Sequence, residues 1–218
     1  MDRGKILKDI SEKHLALVNT IPAKLRNKLF LTGGTAAFFY GSDRPFSNDL
    51  DYMIPKNKIT NFEKALGLKF SYHKTKPVFH SLKAIIDISG TTYDIVAESI
   101  LQPGNKGDEF VFYLTDKIAH HSCAFSSSNA VFKCIPPELL VLIKLISGRG
   151  KEFGKYDLYD VCSITENEKL DFDFLEDLIR EFCEGALPVL IKNAKKAEEE
   201  CQCGKMRKII DFLELFQL

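Results

Sequence analysis

LTGGTAAFFYGSDRPFSNDLDYMI, residues 31–54, follows directly on the apolar residues Leu29 and Phe30 and closes on two aspartates one residue apart. A strand that delivers the chain to Gly33 and Gly34 allows backbone N–H groups to approach an oligophosphate closely, because no Cβ intervenes. The helix expected next, through Ala36, Ala37, Phe38 and Phe39, begins at its positive end, and Thr35 adds a hydroxyl. Asp49 and Asp51 then share one face of a second strand, since strand side chains alternate with a period of two. Two such carboxylates repel each other unless a cation lies between them. The stretch therefore reads as a phosphate cradle followed by a metal clamp, and hard oxygen donors suit Mg²⁺ or Mn²⁺.

Working outward, apolar positions at Ile6, Leu7, Ile10, Leu15 and Leu17 predict an amphipathic helix over residues 5–18. Pro22 opens a second, short helix. Beyond the aspartates, Pro55 closes the strand and residues 59–66 have helical spacing up to a C-capping Gly67. Extended segments follow at 68–72, 82–89, 92–97, 109–114 and 130–134. From Glu138 onward the pattern is helical throughout, with helices over 139–146, 157–164, 172–182, 188–197 and 206–216. The expected fold class is α+β: a mixed sheet with flanking helices over residues 1–135, then a helical domain over 136–218 that closes a cleft.

Two-metal chemistry calls for a third carboxylate on a neighbouring strand. Asp94 is the first candidate, because it is the sole charge in the strand Thr92 to Val96 and an unpaired carboxylate is costly to bury there. Asp87 competes for the role. If Gly90 and Thr91 form a two-residue turn, Asp87 falls directly opposite Asp94, and the choice stays open.

The 218 residues carry 30 basic and 30 acidic side chains and are 45% hydrophobic. That supplies a real core, but the net charge selects neither nucleic acid nor an acidic membrane as partner. No apolar stretch is long enough to span a bilayer and no signal-peptide core follows the N-terminus, so a cytoplasmic protein is expected. Six irregularly spaced cysteines predict reduced thiols, and Cys201 with Cys203 lacks the further paired ligands of a zinc site.

The quoted stretch resembles the first motif of the nucleotidyltransferase superfamily related to DNA polymerase β, and within it the AbiEii/AbiGii branch of abortive-infection toxins. Gly33, Gly34, Thr35, Ala36, Arg44, Ser47, Asp49 and Asp51 match that motif in order, although Pro45 and Phe46 place two residues between Arg44 and Ser47 where many relatives carry one. A second match is LLVLIKLISGRGKEFGKYDLYDVCSI, residues 139–164, where Lys144, Arg149, Lys155, Asp157 and Asp160 fit a helical motif. The resemblance implies Mg²⁺-dependent transfer of an NMP from an NTP to an acceptor hydroxyl on RNA (a tRNA among them), protein or a small molecule, in a toxin–antitoxin setting with an antitoxin partner. It implies catalytic roles for Asp49, Asp51, Asp94, Lys144 and Asp157, and nucleotide contacts from Gly33, Gly34, Thr35, Arg44, Ser47 and Lys144. A non-catalytic nucleotide- or partner-binding component is the alternative.

Blander accounts stand beside these. Lys144 can be a snorkelling lysine at the edge of an apolar face, and Asp157 a residue favoured by its helix dipole. Asp160 reads as more structural than catalytic. His120, His121 and Cys123 lack a fourth ligand, and the phenylalanines of the helical half read as packing. Tyr40 and Tyr156 are the aromatic residues expected at a pocket edge.

Overall fold

The computed structural model describes residues 2–44, 49–76, 79–103, 108–127, 129–150 and 155–216. Helix α1 (Arg3–Thr20) starts where the Asp2 carboxylate accepts the Gly4 N–H at 2.9 Å, an N-cap that satisfies one of the free donors of the first turn. Its buried stripe, Ile10, His14, Leu17 and Val18, packs on the sheet. Burial holds the His14 imidazole down at about 4, and its Nδ1 lies 2.8 Å from the Tyr52 hydroxyl. After the short helix α2 (Ala23–Arg26), strand β1 (Phe30–Leu31) leads into α3 (Gly33–Phe39). Strand β2 (Leu50–Met53) runs back antiparallel to β1 and is followed by α4 (Ile59–Leu66), which ends on Gly67 at φ +66°.

Strands β3 (Ser71–Lys76), β4 (Phe79–Ile88) and β5 (Thr91–Leu101) form a meander, with β6 (Phe110–Phe112) paired to the end of β5. Helix α5 (Asp116–His120) and the hairpin β7 (Cys123–Ser127) with β8 (Ala130–Cys134) complete the sheet, whose order is β3-β4-β5-β2-β1-β8-β7. Two pairings are parallel, β2 with β5 and β1 with β8. Among the described residues only helices follow: α6 (Pro137–Ser147), α7 (Asp157–Asn167), α8 (Phe172–Phe182), α9 (Leu187–Cys201) and α10 (Met206–Phe216). One hydrophobic core runs through the sheet and the helices alike, from Ile10 to Leu213. No helix among the described residues is long and apolar enough to cross a membrane, and all six cysteines are free thiols.

Several expectations are corrected. The strand expected at 68–72 begins at Ser71, because Leu68 N–H still donates to the Glu63 carbonyl and Phe70 N–H to the Glu63 side chain. Helix α5 and strand β7 carry too little apolar periodicity to stand out; α5 is set by Thr115, whose hydroxyl accepts the Ile118 N–H. The β4–β5 turn falls at Ser89 and Gly90, not at Gly90 and Thr91. Both have positive φ, +53° and +80°, the signature of the tight hairpin turn whose twist matches the strands. Asp87 therefore pairs with Thr92, and Asp94 with Ile85.

Candidate active site

The parallel register of β2 and β5 sets Asp51 directly beside Asp94. Side chains of register partners project from the same face, so both carboxylates enter one cleft of about 190 Å³. Burial first, and then the Asp94 carboxylate, push the Asp51 carboxyl up to about 6, with Asp49 adding to the rise and Lys83 and Lys144 opposing it. Asp49 lies just ahead of β2 and is exposed. Asp87 is exposed at the hairpin end, where its carboxylate accepts the Thr92 hydroxyl at 2.6 Å. The neighbour of Asp51 is thus Asp94.

Both glycines of the turn have a steric reason. Gly33 sits at φ +62°, and a Cβ there would collide with the Asp51 carboxylate; a Cβ on Gly34 would run into the Arg44 guanidinium. Thr32 N–H donates to the Asp51 carbonyl at 2.9 Å, which ties the turn to β2. Gly33→Ala is expected to cost about 2 kcal/mol, from the strained backbone alone, and to displace Asp51. Urea denaturation measures the first effect and nucleotide titration the second. Thr35 is buried, and its hydroxyl has no hydrogen-bond partner among the described residues. Ser47 lies outside the described residues.

The opposite wall comes from α6 and α7. Lys144 does not snorkel: it is buried, with its Nζ 2.7 Å from Asp160 Oδ2 and 3.3 Å from Asp157 Oδ1. Asp160 also accepts the Ser42 hydroxyl at 2.7 Å and faces Arg44 Nε at 3.3 Å, so one carboxylate joins α6, α7 and the segment after α3. Arg149 grips Asp157 through Nε at 2.7 Å and Nη2 at 3.4 Å. Burial alone would raise the Asp157 carboxyl, but Lys144 and Arg149 outweigh it and hold it below the usual carboxylate range.

Lys83, Ser81 and Ser99 also line the cleft, and sequence reasoning missed them. The hairpin register places Lys83, strand alternation puts Ser81 on the same face, and a β-bulge places Ser99. Lys83 pairs with Val96 while Leu82 pairs with Glu98, which leaves Ala97 as an extra residue on β5. Ser99, five positions after Asp94, would otherwise face away; the bulge returns it to the face of Asp94, opposite Ser81. The detectable signal was Lys83 itself, a charge between Leu82 and Ala84. Its ammonium contacts the Asp94 carboxylate directly. The Ser81 hydroxyl is buried and has no hydrogen-bond partner among the described residues, a state that costs about 1–3 kcal/mol. Ser81→Ala is therefore expected to raise the stability of the ligand-free protein by about 1 kcal/mol while weakening ligand binding in the cleft, as read by thermal melting with and without nucleotide.

Four cationic side chains (Lys83, Lys144, Arg149, Lys155) and three carboxylates (Asp51, Asp94, Asp157) line the cleft. No group of three or more metal-type side chains converges among the described residues. The donor set near Asp51 is carboxylate oxygen without histidine or thiol, and the mutual repulsion recorded in the raised Asp51 carboxyl suits a hard divalent cation. Of the two tyrosines, Tyr40 is no pocket edge: it is fully buried and its hydroxyl donates to the Ile135 carbonyl at 2.7 Å. Tyr156 lies under the Arg44 guanidinium, 5.7 Å from the ring centre. His121 stacks on Phe174 at 3.8 Å, a packing role.

No protein-family model matches the chain, and no curated protein matches it. Solved structures do. One is a candidate nucleotidyltransferase from Thermotoga maritima, at 14% identity over 65% of this chain and 88% of that one, with a TM-score of 0.47. A lincosamide antibiotic adenylyltransferase with bound lincomycin is similar at 16% identity over 72% of this chain and 98% of that one, TM-score 0.39. An antigenic nucleotidyltransferase-like protein from Paracoccidioides brasiliensis follows at 15% identity over 87% and 92%, TM-score 0.35.

Proposed function

We propose that the chain is a nucleotidyltransferase that moves an NMP from an NTP to an acceptor hydroxyl with the help of Mg²⁺ or Mn²⁺. The observation that carries this reading is the pairing of Asp51 with Asp94 on parallel strands, in a cleft faced by the Lys144, Arg149 and Asp157 cluster. Asp51 and Asp94, with Asp49 ahead of them, would hold the cation. When bound, the ion supplies positive charge to the phosphates and to the attacking oxygen.

The chain's own groups do the rest. Gly33, without a Cβ, lets the backbone approach the triphosphate, and Lys144, Arg149 and Lys155 set a positive field along the helical wall. Arg44, whose guanidinium lies against Gly34, and Ser47 are assigned to the nucleotide by their motif. Asp94 would accept the proton of the acceptor hydroxyl as its oxygen bonds to the α-phosphorus and the bond to pyrophosphate breaks. Incubation with labelled NTPs and cell extract, followed by separation of RNA, protein and small molecules, tests the reading and identifies the acceptor. Label entering no fraction, with the Asp51→Asn variant indistinguishable from wild type in pyrophosphate release, would refute it.

The contact between Lys83 and Asp94 favours a second reading, a component that binds a nucleotide or a partner without turnover. Calorimetry showing NTP binding with no pyrophosphate release under any acceptor supports that one. A toxin role, with an antitoxin partner and a tRNA or protein acceptor, is supported by the two AbiEii-like motifs. Growth arrest on expression that the Asp51→Asn variant no longer causes is the expected result.

A further inference from the structure

We infer that Lys83 is a tethered counter-ion that occupies the cation position against Asp94 and gives it up when a divalent ion binds. The inference rests on the metal-dependent reading above.

Asp94 is flanked by Asp51 across the β2–β5 register and by Lys83 from β4, and Asp49 and Lys144 act on the same cluster from farther away. Lys83 enters this cluster by design of the backbone. The Ser89–Gly90 turn fixes the register that runs unbroken from Ile88 opposite Thr91 to Lys83 opposite Val96, two residues along from the Ile85–Asp94 pair, so Lys83 stands on the face and near the level from which its stem reaches Asp94. The ammonium neutralises one of two adjacent carboxylates that would otherwise repel each other, which makes the metal-free cleft tolerable. A divalent ion held by Asp51 and Asp94 would compete with the Lys83 ammonium for the Asp94 carboxylate, because two cations repel each other at contact distance.

The displaced ammonium has a place to go. Lysine is a flexible stem with three rotatable donors, and the unpartnered Ser81 hydroxyl lies two residues away on the same face, with Ser99 as its partner across the strands. Both serines line the cleft, so the released charge would stay beside the space a phosphate would fill. Metal binding thus converts an internal ion pair into a free cation facing the substrate.

The test is Mn²⁺ binding to the purified full chain, followed by electron paramagnetic resonance at about pH 8, where aspartates are ionised. Lys83→Met, which keeps the apolar stem, is expected to bind Mn²⁺ about ten- to a hundredfold more tightly than wild type, the value of one charged hydrogen bond no longer lost on binding. Lys83→Arg retains the competing charge and is expected to bind no more tightly than wild type. Lys83→Gln guards against a methionine variant that does not fold, and its affinity is expected to shift in the same direction as that of Lys83→Met. Equal or weaker Mn²⁺ affinity in both neutral variants, with wild type binding normally, overturns the inference alone. Mn²⁺ binding unaffected by Asp51→Asn with Asp94→Asn would instead overturn the metal site, and the role of Lys83 with it.

Discussion

Asp51→Asn is expected to reduce nucleotidyl transfer on the order of a thousandfold while making the metal-free protein more stable at neutral pH. The two effects have one cause. The Asp51 carboxyl is pushed from 3.8 to about 6 in the folded chain, so between those values the folded protein holds a proton that the unfolded chain has lost. A raised carboxyl stabilises the fold at low pH and ceases to do so as the pH rises: stability falls from about pH 4 and levels off above about pH 6, by about 3 kcal/mol for a shift of this size. Asparagine keeps the shape without the charge and removes that decline. Melting temperatures of both proteins from pH 4 to pH 8 (roughly the window of this titration) measure it. Saturating Mg²⁺ is expected to raise the wild-type melting temperature mainly above about pH 6, where the carboxylate is free to bind it, and to leave the asparagine variant nearly unchanged. A wild-type profile no steeper than the variant's would show that Asp51 carries no such penalty.

Asp160→Ala carries the largest expected loss of stability. The substitution leaves buried Lys144 with one partner in place of two, removes the facing charge of Arg44 and strands the Ser42 hydroxyl. Breaking a buried ion pair from one side costs about 3–5 kcal/mol, because an uncompensated charge stays behind. For a chain of this size the melting temperature should drop on the order of ten degrees. Lys144→Met combined with Asp160→Ala should cost less than the sum of the single changes, since the second substitution removes the charge stranded by the first. Strict additivity in urea denaturation would mean that the two residues do not form the unit described. Lys144 and Asp160 therefore act first through architecture, whatever Lys144 adds to nucleotide binding.

The difference between these residues marks what could be read from the chain. The glycine turn, the strand with Asp51 and the helical character of the second half follow from local pattern, whereas Asp49, expected on the same strand face as Asp51, lies just ahead of β2 and is exposed. The adjacency of Asp94 to Asp51 was also accessible, because a metal clamp built on aspartates calls for a further carboxylate on a neighbouring strand. Lys83, a lone charge in its own strand, was hidden because its register against Asp94 depends on a turn one residue earlier than expected, and Ser99 was hidden because its facing depends on the unpaired Ala97. Neither has a local signature that outweighs the alternatives. The threefold role of Asp160 was equally inaccessible: its side-chain partners Ser42, Arg44 and Lys144 come from segments whose approach is decided by packing.

The contact between Ser42 and Asp160 spans 118 residues, and Leu31 pairs in parallel with Cys134. Such pairings close long loops, and loop closure must precede the contacts that reward it. During synthesis the glycine turn and its aspartates emerge early, yet the strand that flanks β1 and the helices that form the facing wall come much later. Until α7 has left the ribosome, Asp160 is missing and Arg44 lacks its carboxylate. The nascent chain therefore carries its acidic cluster and its glycine turn without the opposing wall, so the cleft proposed to take a triphosphate is complete only once the second half has been made.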